Sequence, residues 1–186
     1  MAFNISEFIT RGLPQGGARP SQFRVVVTPP FASVNTPKLT FTCQAASVPA
    51  AITGSIPVFY FGRAAKFAGD REFPDWNVEV LNDEDFAVRK IMERWSNLQN
   101  NMVGNVRSDS IDIEGYKSIA LVEQLGKQGD VIGSYEFYGI FPTVVGEMQL
   151  SWAAQNQIQT FGVTFAYDYW IPVAEGDTDG YRADIE

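Results

Sequence analysis

The segment from Ala68 to Glu84, AGDREFPDWNVEVLNDE, constrains the fold more than any other part of the chain. Gly69-Asp70 is a turn signal, and apolar residues then alternate with polar ones from Trp76 to Val80. Such alternation is typical of a β-strand with one buried face. Asn82-Asp83-Glu84 follows directly and is typical of a helix start. The sequence therefore predicts a turn, a half-buried strand and a helix in close succession.

One helix is predicted over residues 83–100. Its apolar residues recur at helical spacing, namely Val88, Ile91, Met92, Trp95 and Leu98. The acidic residues Asp83 to Asp85 are expected in its first turn, where free backbone amides and the helix dipole favour anions. Trp95 is the expected anchor of this helix against a sheet.

Strand-like segments dominate the rest of the chain. Aromatic residues make up 13% of the sequence, and such residues favour β structure. Gln22–Thr28 and Lys38–Gln44 are predicted to pair with each other. Gly126–Asp130, GKQGD, is the predicted turn of a hairpin. Five strands are predicted in the second half: Ser110–Glu114, Tyr116–Leu125, Val131–Ile140, Met148–Trp152 and Gln157–Tyr169.

The 186 residues suit a single domain with additions at both ends. We expect an N-terminal arm over residues 1–20, a β domain over residues 21–173 and an acidic C-terminal tail over residues 174–186. Residues 45–75 are punctuated by Gly and Pro and are predicted to form a hairpin or loop that projects from the body. The predicted fold class is mainly β, a β-sandwich or barrel with one flanking α-helix.

The composition argues against an enzyme. The chain has no His and a single cysteine, Cys43, so the usual zinc sites and the Ser-His and Cys-His nucleophile systems are not available. Cys43 is expected to be a buried apolar residue. Two carboxylate groups remain, at Asp70–Asp75 and Asp83–Asp85, and each has a structural explanation, the first beside Arg71 and the second at a helix start. We therefore predict no catalytic residues, no cofactor and no metal.

Charge and hydropathy restrict the partners. The net charge is −8, from 22 acidic and 14 basic residues, and no basic run of the kind that grips nucleic acid is present. No segment approaches the ~18 apolar residues that a membrane span needs, and the first residues lack the pattern of a signal peptide. We therefore expect neither a membrane anchor nor specific DNA binding.

Several segments together resemble a known family. The segment Ala68–Glu84 is similar, nearly residue for residue, to a block in the tail tube proteins of large contractile-tailed (T-even-like) bacteriophages. GIFPTVVGEMQLSW at Gly139–Trp152 and NQIQTFGVTFAYDYW at Asn156–Trp170 agree with the same family. Weaker matches lie at Ala18–Val27, Phe41–Ala50 and Tyr116-Lys117. The resemblance covers roughly residues 18 to 170 in collinear order.

The resemblance implies an architecture and a role. Proteins of this family share their fold with type VI secretion tube proteins. They form homo-hexameric rings in which adjoining sheets join into a β-barrel around a channel, and the rings stack into the inner tube of a contractile tail. The phage genome passes through that tube into the host. The implied partners are the tail sheath protein around the tube and the baseplate and tail terminator at its ends. The implied location is the virion, after assembly in the host cytoplasm.

Two sets of candidate site residues follow from this picture. By resemblance to the stacking loops of such tubes, we expect Phe59, Tyr60, Phe61 and Arg71 to contact the next ring, with the N-terminal arm as a second candidate. We expect the channel to carry acidic or neutral side chains, because a basic lining would bind DNA rather than let it slide. The channel candidates, taken from water-facing positions of long strands, are Glu114, Glu123, Glu136 and Glu147.

Two other functions remain open on the sequence alone. A tube protein of a type VI secretion or bacteriocin-type contractile injection machine would share the fold but conduct no genome, and neighbouring genes would distinguish it. A monomeric ligand-binding β-sandwich, for instance a carbohydrate-binding one, would sediment as a stable monomer. The longer N-terminal arm and the acidic extension after Trp170 depart from the family pattern and have no role assigned by it.

Overall fold

The computed structural model describes residues 5–31, 36–107 and 115–173. The helical elements are α1 (Ile5–Glu7), a π-helical turn (Phe8–Gly12), α2 (Thr36–Thr42) and α3 (Ala87–Gln99). The strands are β1 (Phe23–Val27), β2 (Cys43–Ala46), β3 (Ile52–Tyr60), β4 (Arg63–Glu72), β5 (Trp76–Leu81), β6 (Ser118–Leu125), β7 (Val131–Val145), β8 (Thr160–Ala166) and β9 (Tyr169–Val173).

Seven antiparallel strands form one sheet that bends at β7. The first part of β7 pairs with β6 and β9, and β6 pairs in turn with β1. From Phe141 onward β7 pairs with β8, which is followed by β5 and β2. Gly139 lies just before this change of partner and has φ +67°, a conformation that favours glycine. The chain thus forms two halves, a first half-sheet (β1, β6, β7, β9) and a second half-sheet (β7, β8, β5, β2).

The inner faces of the two half-sheets enclose the core. The alternating apolar residues of β5 and β8 are buried, as the sequence predicts: Trp76, Val78, Val80, Phe161, Val163 and Phe165. The Trp76 ring lies 4.6 Å from that of Phe137 in β7, centroid to centroid, so the halves pack face to face. Since apolar burial is the main force that favours folding, this shared core fixes the bend. The prediction of a mainly β fold is confirmed.

Helix α3 flanks the sandwich and begins later than predicted. Val88, Ile91, Met92 and Trp95 are buried against the sheets, and Trp95 Nε1 donates to the Tyr116 carbonyl over 2.7 Å. The helix begins at Ala87 because Phe86 has φ +55°, outside the helical region. The expectation that three acids occupy the first turn is therefore wrong.

The acidic residues before α3 have a different role. The Lys38 ammonium contacts both Asp83 and Asp85, which joins α2 to the segment that leads into α3. Hydrogen bonds from Lys38 are the main cause that lowers the pKa of each carboxyl. The Asp85 carboxylate also accepts from the Ala87 backbone amide over 2.9 Å, so it still caps the helix from just outside it.

Two predicted strands are wrong. Residues Lys38 to Thr42 lie in helix α2, with Leu39 buried, and β2 pairs with β5 rather than with β1. Here tertiary packing overrides the β-propensity of the sequence. Met148–Trp152 is a loop, because the ladder between β7 and β8 ends where the Gly146 amide donates to Gly162. The predicted turn at Gly126–Asp130 is confirmed, and the predicted strand Ser110–Glu114 lies outside the described residues.

We expect Gly139→Ala to destabilise the subunit strongly. A Cβ at this position would lie 2.0 Å from Asp168 Oδ2, which forms an ion pair with Lys117, and the left-handed backbone disfavours any L-residue. The free energy of unfolding in urea should fall by at least about 2 kcal/mol.

Gly133→Ala is the matched control for this substitution. Gly133 lies on the same strand, and a Cβ added there would meet no other side chain or strand within 4 Å. Its replacement should change the free energy of unfolding by no more than about 1 kcal/mol, in the stabilising direction. Equal losses in the two variants would contradict the role given to the bend.

Candidate assembly surfaces

Strands β3 and β4 form a hairpin that is separate from the sandwich. They pair only with each other among the described strands, and nearly every residue of the two strands is exposed. The two-residue turn at Phe61-Gly62 has φ +45° and +78°, the signs of a type I′ turn. This turn prefers Asn-Gly, so a phenylalanine at its first position is held at a cost in backbone energy.

The aromatic tip of the hairpin is open to solvent. Phe59, Tyr60 and Phe61 are 74%, 74% and 91% exposed, and the Tyr60 and Phe61 rings meet edge to face at 4.6 Å. The structure does not bring Arg71 to them. Arg71 pairs with Thr53, seven register positions from the tip and so roughly 23 Å away along the strand. The sequence reasoning missed the two basic residues that are near the tip, Arg63 and Lys66.

One face of the hairpin is apolar. Ile56 pairs with Phe67, and Val58 pairs with Ala65, so these side chains lie together on one side. Each of the three large residues remains about half exposed. A two-stranded hairpin is at best marginally stable alone in water, and an exposed apolar face of this kind marks a contact surface. The period of two from Ile52 to Tyr60 is the sequence signal that could have identified it.

The channel candidates that the structure describes lie in different surroundings. Glu114 lies outside the described residues. Glu123 is only 8% exposed and forms an ion pair with Arg24. The expectation that it faces open water is therefore wrong. Glu136 accepts a hydrogen bond from the Tyr138 hydroxyl over 2.8 Å on β7. Glu147 is exposed beyond the end of β7, where Gln149 donates to it over 2.8 Å.

The outer faces of the two half-sheets differ in chemistry. On the second half-sheet the outer face is small and polar, with Ala45, Glu79 and Gly162 aligned across three strands. Beside this row the Thr164 hydroxyl donates to Asn77 over 2.7 Å. Val144 adds an exposed apolar side chain at one border. Its row of small side chains leaves a shallow depression lined by Ala45, Asn77 and Gly162, with one carboxylate, that of Glu79.

On the first half-sheet the outer face carries larger apolar side chains. The register aligns Ile119, Tyr138 and Tyr169 across three strands, and the two tyrosine rings stack at 5.0 Å. The next outward row aligns Leu121, Glu136 and Ile171. The first half-sheet therefore offers a surface suited to contact with protein, and the second one a surface suited to water.

Both half-sheets end in strands that are paired on one side only. Within the described residues these are β1 and β9 in the first half-sheet, and β2 and the Phe141–Val145 part of β7 in the second. Unpaired backbone groups on such edges invite another strand. The two edges of the second half-sheet lie on opposite sides of the small polar face.

Loops at the ends of α3 expose further apolar residues. Leu150, Trp152 and Ile158 are exposed in the loop between β7 and β8, and Met102, Val103 and Val106 are exposed after α3. The sequence analysis predicted strands over Met148–Trp152 and Gln157–Tyr169, so it did not identify the first group as part of a loop. These exposed apolar residues are further candidates for contact with other subunits.

The described residues offer little for catalysis. They contain no group of three or more His, Cys, Asp or Glu side chains placed to hold a metal ion. Cys43 is half-buried against the core, and burial raises the pKa of its thiol to about 12, so it is a poor nucleophile at neutral pH. None of the helices in the described part of the chain has the length and apolarity to cross a membrane.

Comparison with known proteins gives a consistent result. The family model described as phage tail tube protein matches residues 18–173. The chain is 38% identical over 164 residues to tail tube protein gp19 of Enterobacteria phage T4, and the alignment covers 87% of this chain and 96% of that protein. The gp19 protein of Enterobacteria phage T6 gives the same identity and coverage.

Solved structures agree at the level of the fold. One similar chain belongs to the anti-feeding prophage tube-terminating cap, with TM-score 0.62, 17% identity and coverage of 87% of this chain and 93% of that one. Another belongs to the sheath/tube terminator of the extracellular contractile injection system PVC, with TM-score 0.61, 15% identity and coverage of 85% and 97%. At these identities the likeness concerns the fold alone, and it agrees with the predicted fold class.

Two of the candidate glutamates should differ in their effect on stability. Glu123→Gln removes the charge that Arg24 binds at a nearly buried site, so the free energy of unfolding should fall by roughly 1 kcal/mol. Glu147→Gln, at an exposed loop position, should change it by less than about 0.5 kcal/mol. Urea titration followed by circular dichroism measures both. Equal effects would show that the Arg24 pair contributes nothing.

Proposed function

The chain belongs to the phage tail tube protein family, and from this premise we propose that it is a structural subunit of the inner tube of a contractile phage tail. Subunits form hexameric rings, the rings stack, and the resulting channel conducts the genome during ejection. The observation that carries the proposal is the family match over residues 18–173 together with 38% identity to gp19 of phage T4. The tail sheath surrounds this tube, and a baseplate and a terminator bound its ends. The tube is assembled in the host cytoplasm and is part of the virion.

The open edges of the second half-sheet support ring formation. If β2 of one subunit lies beside the Phe141–Val145 edge of the next, the same contact repeats around the ring. Such a head-to-tail contact closes when the rotation between subunits divides a full turn. Closure removes the unpaired edges, which would otherwise favour aggregation.

The small polar face of the second half-sheet is our candidate for the channel wall. It lies between the two edges that would join. Ring closure would therefore make the small polar faces of all subunits one continuous surface of the barrel. Its side chains are short, and Glu79 is its one described carboxylate, exposed on β5. A wall of short side chains with weak negative charge and no described basic residue gives DNA phosphates no site to bind. Glu79 therefore ranks ahead of Glu123, Glu136 and Glu147 as a channel residue.

The hairpin is our candidate for contact between rings. Its aromatic tip and the apolar face around Ile56 and Phe67 are exposed, and it has no partner strand in its own subunit among the described residues. Docking on the next ring would bury this apolar surface, and it would stabilise a hairpin that is marginal alone. The N-terminal arm, with Phe8 and Ile9 exposed, is a second candidate for such a contact.

A related contractile injection machine is the second candidate function. The fold is shared with chains of the anti-feeding prophage cap and of the PVC terminator. A tube of that kind carries no phage genome. Genes for a capsid and a terminase beside this gene would support the phage assignment, and their absence from a complete gene cluster would favour the injection machine.

Replacement of the hairpin aromatics should abolish tube formation without unfolding the subunit. Phe59→Ser/Tyr60→Ser/Phe61→Ser removes exposed rings only, so circular dichroism and the urea midpoint should match the unchanged protein. Negative-stain electron microscopy and sedimentation should show tubes for the unchanged protein and none for the variant. Loss of folding in the variant would instead make these residues part of a core.

Phe61→Asn separates the turn from the contact. Asn tolerates the positive φ of a type I′ turn better than Phe does, so the hairpin itself should become more stable. Tube formation should nevertheless weaken, because the variant lacks the phenyl side chain that would contact the next ring. Tubes that form as readily as before would show that Phe61 makes no contact between rings.

Glu79→Lys should convert the channel wall into a DNA-binding surface. Tubes of this variant should retain short DNA fragments at low salt and release them as the ionic strength rises, because each lysine–phosphate contact displaces counterions. Glu136→Lys, on the outer face of the other half-sheet, is the charge-matched control and should retain no DNA within the tube. Retention by the control alone would place the channel on the first half-sheet.

A further inference from the structure

A groove lies between the N-terminal arm and the hairpin turn that joins β6 to β7. It has a volume of about 540 Å³, and its walls are residues 12–19 on one side and residues 125–132 on the other. The arm is held there because the Gln124 side chain donates to the Arg19 carbonyl over 2.7 Å and to the Gln22 carbonyl over 2.6 Å. The groove is therefore a built feature of the fold.

The groove carries basic side chains with no acidic partner. Arg19 and Lys127 line it, and neither forms an ion pair with any carboxylate among the described residues. Lys127 extends across the groove toward the arm, where a Cβ on Gly16 would lie 3.0 Å from its Nζ. Asp130 is the acidic group of the lining, and its carboxylate folds back over Gly126 in the turn. The remaining lining includes the apolar side chains of Leu13 and Ile132.

The strand that leads to the acidic tail ends beside this groove. Strand β9 runs antiparallel to β7, and its final residue, Val173, pairs with Ser134. Ser134 is two residues from Ile132 in the groove wall, a distance of roughly 7 Å along the strand. The tail, residues 174–186, lies outside the described residues and carries five acidic side chains and one arginine. Thirteen residues span up to about 45 Å when extended, so the groove is within easy reach.

The arm and the tail are also additions to the family core. The family match covers residues 18–173, so most of the arm and the whole tail lie outside it. The topology nevertheless brings the arm and the last residue before the tail, Val173, to the same end of the first half-sheet. We propose that the acidic tail binds in the groove of its own subunit, with its carboxylates on Arg19 and Lys127, and so fastens the N-terminal arm to the β6–β7 turn.

Amide hydrogen exchange tests this proposal. The full chain and a variant lacking residues 174–186 are compared at a concentration at which neither assembles. Deletion should speed exchange of residues 13–19 and 125–132 by at least about fivefold, because the groove walls lose a partner. Exchange in β5, β8 and α3 should stay unchanged, which shows that the core remains folded. Unchanged exchange at both groove walls would overturn the proposal.

A charge-reversal pair gives a second readout on the full chain. Arg19→Glu/Lys127→Glu should reproduce the faster exchange, because it repels the tail. Arg63→Glu/Lys66→Glu makes the same charge change on the hairpin and should leave the groove walls unchanged. Equal effects of the two double variants on exchange at the groove walls would show that net charge alone causes the change, and would overturn the proposed contact of the tail with Arg19 and Lys127.

Two further measurements test whether the groove binds the tail sequence itself and whether the tail comes from the same subunit. A synthetic peptide of residues 174–186 should restore protection to the deletion variant, more strongly at low salt, whereas a scrambled peptide should not. In the full chain the protection should be independent of protein concentration, as expected for a contact within one subunit. Protection that is lost on dilution would mean that a neighbouring subunit supplies the tail, and would overturn the assignment to its own groove.

Discussion

The bend of β7 is the constraint on which the rest of the structure depends. One strand of fifteen residues serves both half-sheets, so the packing of Phe137 on Trp76 is possible only if the chain turns at Gly139. Glycine is favoured there because φ is +67° and because any Cβ would displace the Asp168 carboxylate from its ion pair with Lys117. The apolar core, the position of α3 and the orientation of the two outer faces all follow from this bend.

A sandwich built in this way leaves surfaces that a single subunit does not use. Among the described strands, the second half-sheet has two open edges with a small polar face between them, and the β3–β4 hairpin exposes aromatic rings away from the body. Membership of the tail tube family offers a common explanation for these features, in which we propose that the edges close the ring, the face lines the channel and the hairpin contacts the next ring. The acidic net charge is consistent with a wall that does not hold DNA.

Local periodicity predicted the strands in which buried and exposed residues alternate regularly. It did not predict the elements whose structure depends on contacts with residues distant in the sequence. The strands around Val78 and Val163 and the turn at Gly126–Asp130 were predictable, because alternation and turn residues are local signals. Helix α2 was not predicted, because the burial of Leu39 and the contacts of Lys38 with Asp83 and Asp85 involve residues that are distant in the sequence. The expectation for Glu123 was wrong for a similar reason: a strand position does not reveal that its side chain is nearly buried against Arg24.

Cryo-electron microscopy of tubes assembled from the purified protein tests the central claim most directly. We expect stacked six-fold rings, a channel lined by the outer face of the second half-sheet with Glu79 at its wall, and the hairpin tip seated on the adjacent ring. A stable monomer under all assembly conditions, including the presence of a baseplate, would contradict the tube assignment. A tube whose channel is lined by the first half-sheet would contradict the assignment of the two faces.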